Sequence, residues 1–564
     1  MRPMLTFLLL VTLLPAFGQT KYPKGYFRNP LDIPIYLSGN FGEMRPNHYH
    51  MGIDIKTNQR QNLSVHAAAE GYIARIKIEP FGFGRAIYIN HPNGYTTVYA
   101  HLNNFAAKID AYVKQQQYAQ ESWHIQLEPP PNMFPVKKGD FIAFSGTTGG
   151  SLAPHLHFEI RRTIDDVNLN PLLFGLPVKD LVRPRIVRLA VYDRTRSIYE
   201  QKAKIYSAKA AGSSTYTTVP SAIKVNSPLV SFAITAYDSH TGSANLNGIY
   251  KATLFVNDEE VESFKMDNIS YLDTRNINAH IDYRYRAQGG PYLQHLSELP
   301  GYINSIYTNG AGMGVVDISD GEVYEVVIVA TDTEGNTSKI RTLVRYDKKL
   351  PVEPPATGRK FYPFMIDGSE NENCEFYIGQ NCLYDSVHIT YSNNATADDN
   401  TVSDVHTIGP AYVPLHDSML VRIRPDLTFT PADSDRTVMQ WQNGKRSSVQ
   451  KVQWQQEWAA AKFRDLGSFV LLRDTVPPVI SNSFADNADL SKSSRIVFSI
   501  KDNLHNVKNV RTELDGKWLR FTNDKGRSFI YEFDEKCPKG AHSLEITAED
   551  EAGNISRKVY TFTR

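Results

Sequence analysis

The sequence predicts a mainly β protein: an antiparallel β domain with one inserted helix, followed by tandem Ig-like β-sandwich units. Three observations predict it. Short runs of alternating apolar and polar residues recur along the first third of the chain. An Asn93-Gly94 step joins two such runs, which is a strong hairpin signal. A corner, Asp332-Thr333-Glu334-Gly335-Asn336, recurs in kind as Asp550-Glu551-Ala552-Gly553-Asn554, each time between two apolar strands.

The elements follow in chain order. Residues 1–18 read as a signal peptide: Arg2 supplies the positive start and Met4 to Leu14 a short apolar run. Pro15 breaks the run, and Ala16-Phe17-Gly18 offers small residues before a cut. No cysteine lies near the cut, so a lipid anchor is not indicated, and no later apolar stretch is long enough for a membrane helix. Residues 19–182 form the first domain. Gly71 to Ile78, Arg85 to Asn90 and Tyr95 to Tyr99 alternate as strands, and Lys138-Gly139-Asp140 turns into a strand at Phe141 to Phe144.

Between them, Phe105 to about Glu121 carries Ile109, Tyr112, Val113 and Tyr118 at helical intervals. This insert is either surface decoration or a wall of the substrate groove. From Arg183-Pro184 onward, β units are expected at 183–350, 356–473 and 474–564. The linkers are Pro351-Val352-Glu353-Pro354-Pro355 and Asp474-Thr475-Val476-Pro477-Pro478. The first domain is expected to close on its own strands, so that residues 19–179 fold and bind metal alone.

A chain of 564 residues holds about three or four domains. Its net charge of +1 argues against a global pull on nucleic acid or anionic membrane. The three cysteines lack zinc-finger spacing, while Cys374 and Cys382 are close enough in sequence for a local disulfide. The histidines are not scattered evenly. Eight of the 16 fall between His48 and His157, about a fifth of the length.

Three motifs gather them: His50-Met51-Gly52-Ile53-Asp54, Tyr99-Ala100-His101-Leu102 and His155-Leu156-His157. On an extended chain His50, Gly52 and Asp54 share a face. A straight strand holds His50 and Asp54 roughly 13 Å apart, so the chain must bend, and Gly52 permits it. His155, His157 and Glu159 share a face opposite Leu156, Phe158 and Ile160. Two histidines about 7 Å apart on one face converge on one pocket. Imidazoles with a carboxylate favour zinc, which lowers the pKa of its water to roughly 7. A neighbouring histidine then moves the proton. His48 lacks the Gly and Asp offsets of His50. His66, His91 and His124 stand outside any motif, and Glu159 either lines the site or, the plainer reading, forms a surface ion pair with Arg161 or Arg162.

Residues from about 38 to 162 resemble the lysostaphin/LytM-type zinc metallopeptidases that cut peptidoglycan. The matching stretches are Asn47 to Ile55, Tyr99 to Leu102, Gly146 to Gly150 and Pro154 to Glu159. The resemblance implies an antiparallel LytM-like peptidase domain with one zinc ion held by His50, Asp54 and His157. It implies His101 and His155 as catalytic partners of zinc-activated water. Ala153 stands where family members commonly carry Gly, which touches no ligand. The implied protein is a secreted or periplasmic endopeptidase of peptidoglycan stems or cross-links. Its C-terminal β units position it on wall or envelope proteins. The alternatives are a catalytically inactive LytM-like module that activates another wall hydrolase, and a general secreted protease. All five positions are filled, which favours the enzyme.

Overall fold

The structure, a computed structural model, describes residues 22–564 except 302–303, 309, 397–399, 427–428, 505–506 and 527. The signal peptide expected at 1–18 lies outside the described residues. Strands dominate, as expected. The N-terminal part contains β1 (Leu37–Gly39), β2 (Met44–Arg45), β3 (His48–Tyr49), β4 (Ile53–Lys56) and β5 (Ser64–His66). It continues through β6 (Gly71–Ile78), β7 (Arg85–Asn90), β8 (Tyr95–Ala100), β9 (Leu102–Phe105) and α1 (Ala107–Ala119). It ends with β10 (Ile125–Leu127), β11 (Pro135–Val136), β12 (Phe141–Ser145), β13 (His155–Arg162) and β14 (Asn168–Leu169).

The main sheet runs β1-β4-β13-β8-β7-β6-β10, with β5-β12-β9 as a second, smaller sheet. The alternation in β13 explains its place. Leu156, Phe158 and Ile160 are fully buried in a core with Ile53, Ile55 and Tyr99, and the intervening residues face the other way. The hairpin expected at Asn93-Gly94 forms between β7 and β8, with Gly94 at φ +81°. The two repeated corners also match each other. In each, the Asp accepts the Asn backbone N–H, Asn336 to Asp332 and Asn554 to Asp550, both at 2.8 Å.

Downstream, one sheet spans residues 185–346, two sheets span 359–473, and two more span 479–563. The cores interlock. Phe41, Met44, Tyr49 and Met51, on and around β2 and β3, pack among Leu189, Phe232, Leu254 and Ile328 of the following unit. The main sheet also continues past β14 onto the strand Asn268–Ile269. Tyr192, Tyr199 and Leu299 in turn share a core with Phe376, Trp441 and Phe469.

The insert is more than bare decoration. Helix α1 buries Ile109 and Val113 inward and docks its outer side on the last β unit. Lys114 Nζ pairs with Asp534 at 2.7 Å and Glu535 at 3.0 Å, and Arg511 pairs with Glu121 at 2.8 Å. Tyr118 meets Trp518 edge-on. The disulfide expectation is corrected, because Cys374 and Cys382 are both buried free thiols. The strand Cys374–Ile378 carries the chain away between them. It rises about 13 Å, beyond the roughly 7 Å a disulfide spans.

A chain cut after Lys179 exposes Phe41, Met44, Tyr49 and Met51. Each such side chain stabilises by roughly 1.5–3 kcal/mol when buried. That fragment is expected to unfold at lower urea concentration and temperature than one cut after Leu350, as circular dichroism melts of both measure.

Candidate metal centre

The site is assembled by strand register. Across the main sheet Asp54 stands opposite His157, and His157 stands opposite Ala100. His50 lies in the connection before β4, and the expected bend occurs there. A Cβ on Gly52 would meet Phe158 O at 2.4 Å and His157 Nε2 at 3.0 Å, so only glycine lets the chain cross β13 this closely. His101 follows the last residue of β8 with φ +59°, a left-handed conformation uncommon for a non-glycine residue. Two bonds hold it there: its N–H donates to Phe83 O at 2.9 Å, and its Nδ1–H donates to Thr148 O at 2.8 Å.

Three donor atoms form a small triangle. His50 Nε2 lies 3.0 Å from Asp54 Oδ1 and 3.1 Å from His157 Nδ1, and His157 Nδ1 lies 2.9 Å from Asp54 Oδ1. All three residues are buried. His155 Nε2 lies 3.4 Å from the same Asp54 oxygen. The His101 ring is centred 4.8 Å from that of His155 and 5.8 Å from that of His157. All five residues singled out by the motifs are therefore brought together.

The outer bonds orient each ring. His50 Nδ1–H donates to Asn40 O at 2.7 Å, and His155 Nδ1–H donates to Ala153 O at 2.8 Å. His157 Nε2–H donates to Glu159 Oε1 at 2.9 Å. Glu159 corrects the surface reading. It is fully buried, bound by Arg161 Nε at 2.7 Å, and its Oε1 accepts from Tyr271 at 2.7 Å. Tyr271 belongs to the next unit, more than a hundred residues along the chain, and no motif marks it. Arg45 Nη2 reaches Asp54 Oδ2 at 3.2 Å.

Charge follows geometry. Burial disfavours an ionised Asp54, but the charge of His50 and bonds from His155 and His157 hold it well below the usual carboxylate range. Burial opposes a charged His157, yet its bonds to Asp54 and Glu159 raise it to about 9. Burial, then the neighbouring His155 and His157, push His101 down to about 3. Glu159 is driven to about 2, the Arg161 charge and the His157 bond overcoming its burial.

A cleft of about 710 Å³ opens over these groups. Phe83, Leu152 and Tyr271 are among its walls, and Leu152 is 99% exposed at its rim. None of the insert residues lines it. One side of the loop 147–151 is braced by the last β unit. Gly149 N–H donates to Asp524 Oδ1 at 2.8 Å, and Lys525 Nζ donates to Ser151 O at 2.7 Å. Gly149, at φ +66°, packs so closely that a Cβ would meet Gly84 N at 2.3 Å. Of the other histidines, His48 is exposed and His124 is exposed, while His91 is buried and bonded to Thr97 Oγ1 at 2.8 Å.

Residues 48–119 match the family model "Peptidase family M23", which bears out the resemblance read from the three motifs. The match includes His50, Asp54 and His101 and stops before His155. Residues 367–474 match a Zu5-like domain. A DD-carboxypeptidase/endopeptidase Mpg of Neisseria meningitidis serogroup B is 34% identical over 171 residues, 29% of this chain and 33% of that protein. An uncharacterized metalloprotease of Haemophilus influenzae is 32% identical over 163 residues, 27% of this chain and 28% of that protein. The chain thus spans less than two thirds of these curated relatives, between 28% and 33% of their length. Among solved structures, the catalytic domain of lysostaphin from Staphylococcus simulans aligns at 22% identity and a TM-score of 0.19. That alignment covers 25% of this chain and 92% of that chain.

Partners that orient a ligating histidine typically change metal affinity by about 10–100-fold. Glu159→Gln is therefore expected to weaken divalent metal binding by about that factor, read by competition with a chelator. In metal-free protein His157 keeps its proton up to about pH 9. Metal must displace that proton, so affinity is expected to rise with pH through the neutral range towards that value. Proton release on zinc addition in weakly buffered solution measures it.

Proposed function

We propose that the N-terminal domain is a zinc-dependent endopeptidase of the cell envelope that hydrolyses peptide bonds in peptidoglycan stems or cross-links. In this reading His50, Asp54 and His157 hold one zinc ion, and His101 and His155 are the catalytic pair. One observation carries it: three donors in a tight triangle, with two further imidazoles turned to the same open cleft.

The residues fit the ion. A tetrahedral site with bonds of about 2.0–2.1 Å has edges of about 3.3 Å. The donor separations of 2.9 to 3.1 Å are that triangle slightly contracted. Asp54 is held as a carboxylate, and Asn40 O fixes the His50 ring so that Nε2 faces the triangle. When bound, zinc supplies a Lewis acid and an acidified water molecule.

The chain's own groups supply the proton chemistry. His101 and His155 each commit Nδ1–H to a backbone carbonyl, Thr148 O and Ala153 O. Nε2 is thereby the reactive position of each ring, that of His155 beside Asp54 Oδ1 at 3.4 Å. Burial and two neighbouring imidazoles disfavour a charge on His101, so its ring is neutral and its Nε2 carries a lone pair. Phe83, Leu152 and Tyr271 give the cleft apolar and aromatic walls beside the triangle, a surface on which a substrate chain can lie. The relative named DD-carboxypeptidase/endopeptidase and that named peptidoglycan DD-endopeptidase ShyC, from Vibrio cholerae, support the substrate class.

The test is digestion of purified peptidoglycan against casein, with and without a chelator, beside elemental analysis of zinc. Peptidoglycan alone is expected to be cut, and chelation to stop it. His157→Ala is expected to lose zinc and cleavage together. His101→Ala and His155→Ala are expected to keep zinc while cleavage falls by about a hundredfold or more. Full cleavage by His101→Ala and His157→Ala would overturn the proposal, as would equal loss of zinc in both. An inert protein that stimulates another wall hydrolase would support the activator alternative instead.

A further inference from the structure

A second group of ligands lies where the chain leaves the N-terminal domain. Asp180, Asp238 and His240 bring donor atoms within 4.8 Å of one another. They are 6%, 3% and 3% exposed. Asp180 Oδ2 lies 4.0 Å from His240 Nε2. Asp180 Oδ2 and Asp238 Oδ1 are buried and accept no hydrogen bond from the described residues. Burying a carboxylate oxygen without a partner is costly, and such groups are normally paired or coordinate a metal. Among the described residues no Lys or Arg forms an ion pair with any of the three. Burial, with negative charge from Asp332 and in one case from Asp180, pushes Asp180 up to about 6 and Asp238 to about 7.

An independent observation concerns His240. Asn247, 1% exposed, sets Nδ2 at 2.9 Å from His240 Nδ1, while its Oδ1 has no partner among the described residues. In this arrangement the amide N–H donates to Nδ1; ligation through Nε2 requires the amide turned over, with Oδ1 accepting from Nδ1–H and the Nε2 lone pair facing Asp180. The imidazole also selects the ion. Carboxylates alone suit calcium or magnesium, whereas carboxylates with imidazole suit zinc. The last β unit gathers Asp474, Asp502 and Asp550 in a similar way. That trio has no imidazole, and Asn503 donates to Asp474 Oδ1 at 3.0 Å.

We propose that Asp180, Asp238 and His240 form a second, structural zinc site that ties the segment leaving the N-terminal domain to the loop 238–248. That loop braces the cleft. Ser243 Oγ donates to Leu37 O at 2.9 Å, and Gly248 N–H donates to Asn40 Oδ1 at 3.0 Å. Asn40 O is the acceptor that orients His50. The ion therefore holds the loop against the residue that aims a cleft ligand.

The full chain is stripped with a chelator, dialysed against zinc and freed of excess. Wild type is expected to retain about two zinc ions per chain and His157→Ala about one, because that variant empties only the cleft. Adding His240→Ala or Asp238→Asn to His157→Ala is expected to remove the remaining ion. Zinc is expected to raise the unfolding temperature of His157→Ala by several degrees and to leave the double variants unmoved. A His157→Ala chain that retains no zinc overturns the second site, even if a double variant does not fold, and leaves the cleft reading intact. A His157→Ala chain that retains as much zinc as wild type, while the His240→Ala single variant retains none, overturns the cleft reading instead. Calcium raising that unfolding temperature where zinc does not overturns the choice of metal.

Discussion

The alignment of Asp54 with His157 across one antiparallel ladder is the constraint on which the cleft depends. It sets a carboxylate beside an imidazole at 2.9 Å without help from any loop. A slip of β13 by one residue would send His157 to the opposite face and bring Leu156 and Phe158 out of the core. The apolar face of β13 therefore specifies the register, and the ligands on the other face inherit it. Gly52 completes the arrangement by letting His50 return to the carboxylate four residues on.

Much of this was legible in the sequence, for a local reason. Alternation along His155 to Ile160 states which side chains share a face, and the three motifs name the five residues that meet. The hairpin at Asn93-Gly94 and the two Asp-to-Asn corners are equally local. What the sequence did not disclose lies across distance. Asn40, Arg45 and Tyr271 carry no motif and reach the site only through the fold. Glu159 was misread because a charged residue beside two arginines suggests solvent. Its burial depends on Tyr271 closing over it from another unit. The disulfide expectation failed because closeness in sequence ignores the rise of the strand between the two cysteines.

The interlocking of cores changes what a domain means in this chain. The β2–β3 segment belongs by sequence to the part that bears the motifs, yet its large side chains complete the core of the following unit. The following unit returns Tyr271 to the cleft and the loop 238–248 to Asn40. Each part thus supplies to its neighbour something the neighbour lacks. The helical insert works in the same way, forming the seat for the last β unit.

The braces from Asp524 and Lys525 to the loop 147–151 join segments 375 and 374 residues apart in the chain. Thr148 and Ala153, whose carbonyls orient His101 and His155, lie in or beside that loop. During synthesis the motif-bearing segment emerges first, while its loop lacks the hydrogen bonds that come from residues 524 and 525. The loop is braced only after residues 524 and 525 have emerged. A nascent or prematurely terminated chain therefore carries the five motif residues without the braced loop, so assembly of the cleft is timed by the order in which the polypeptide is made.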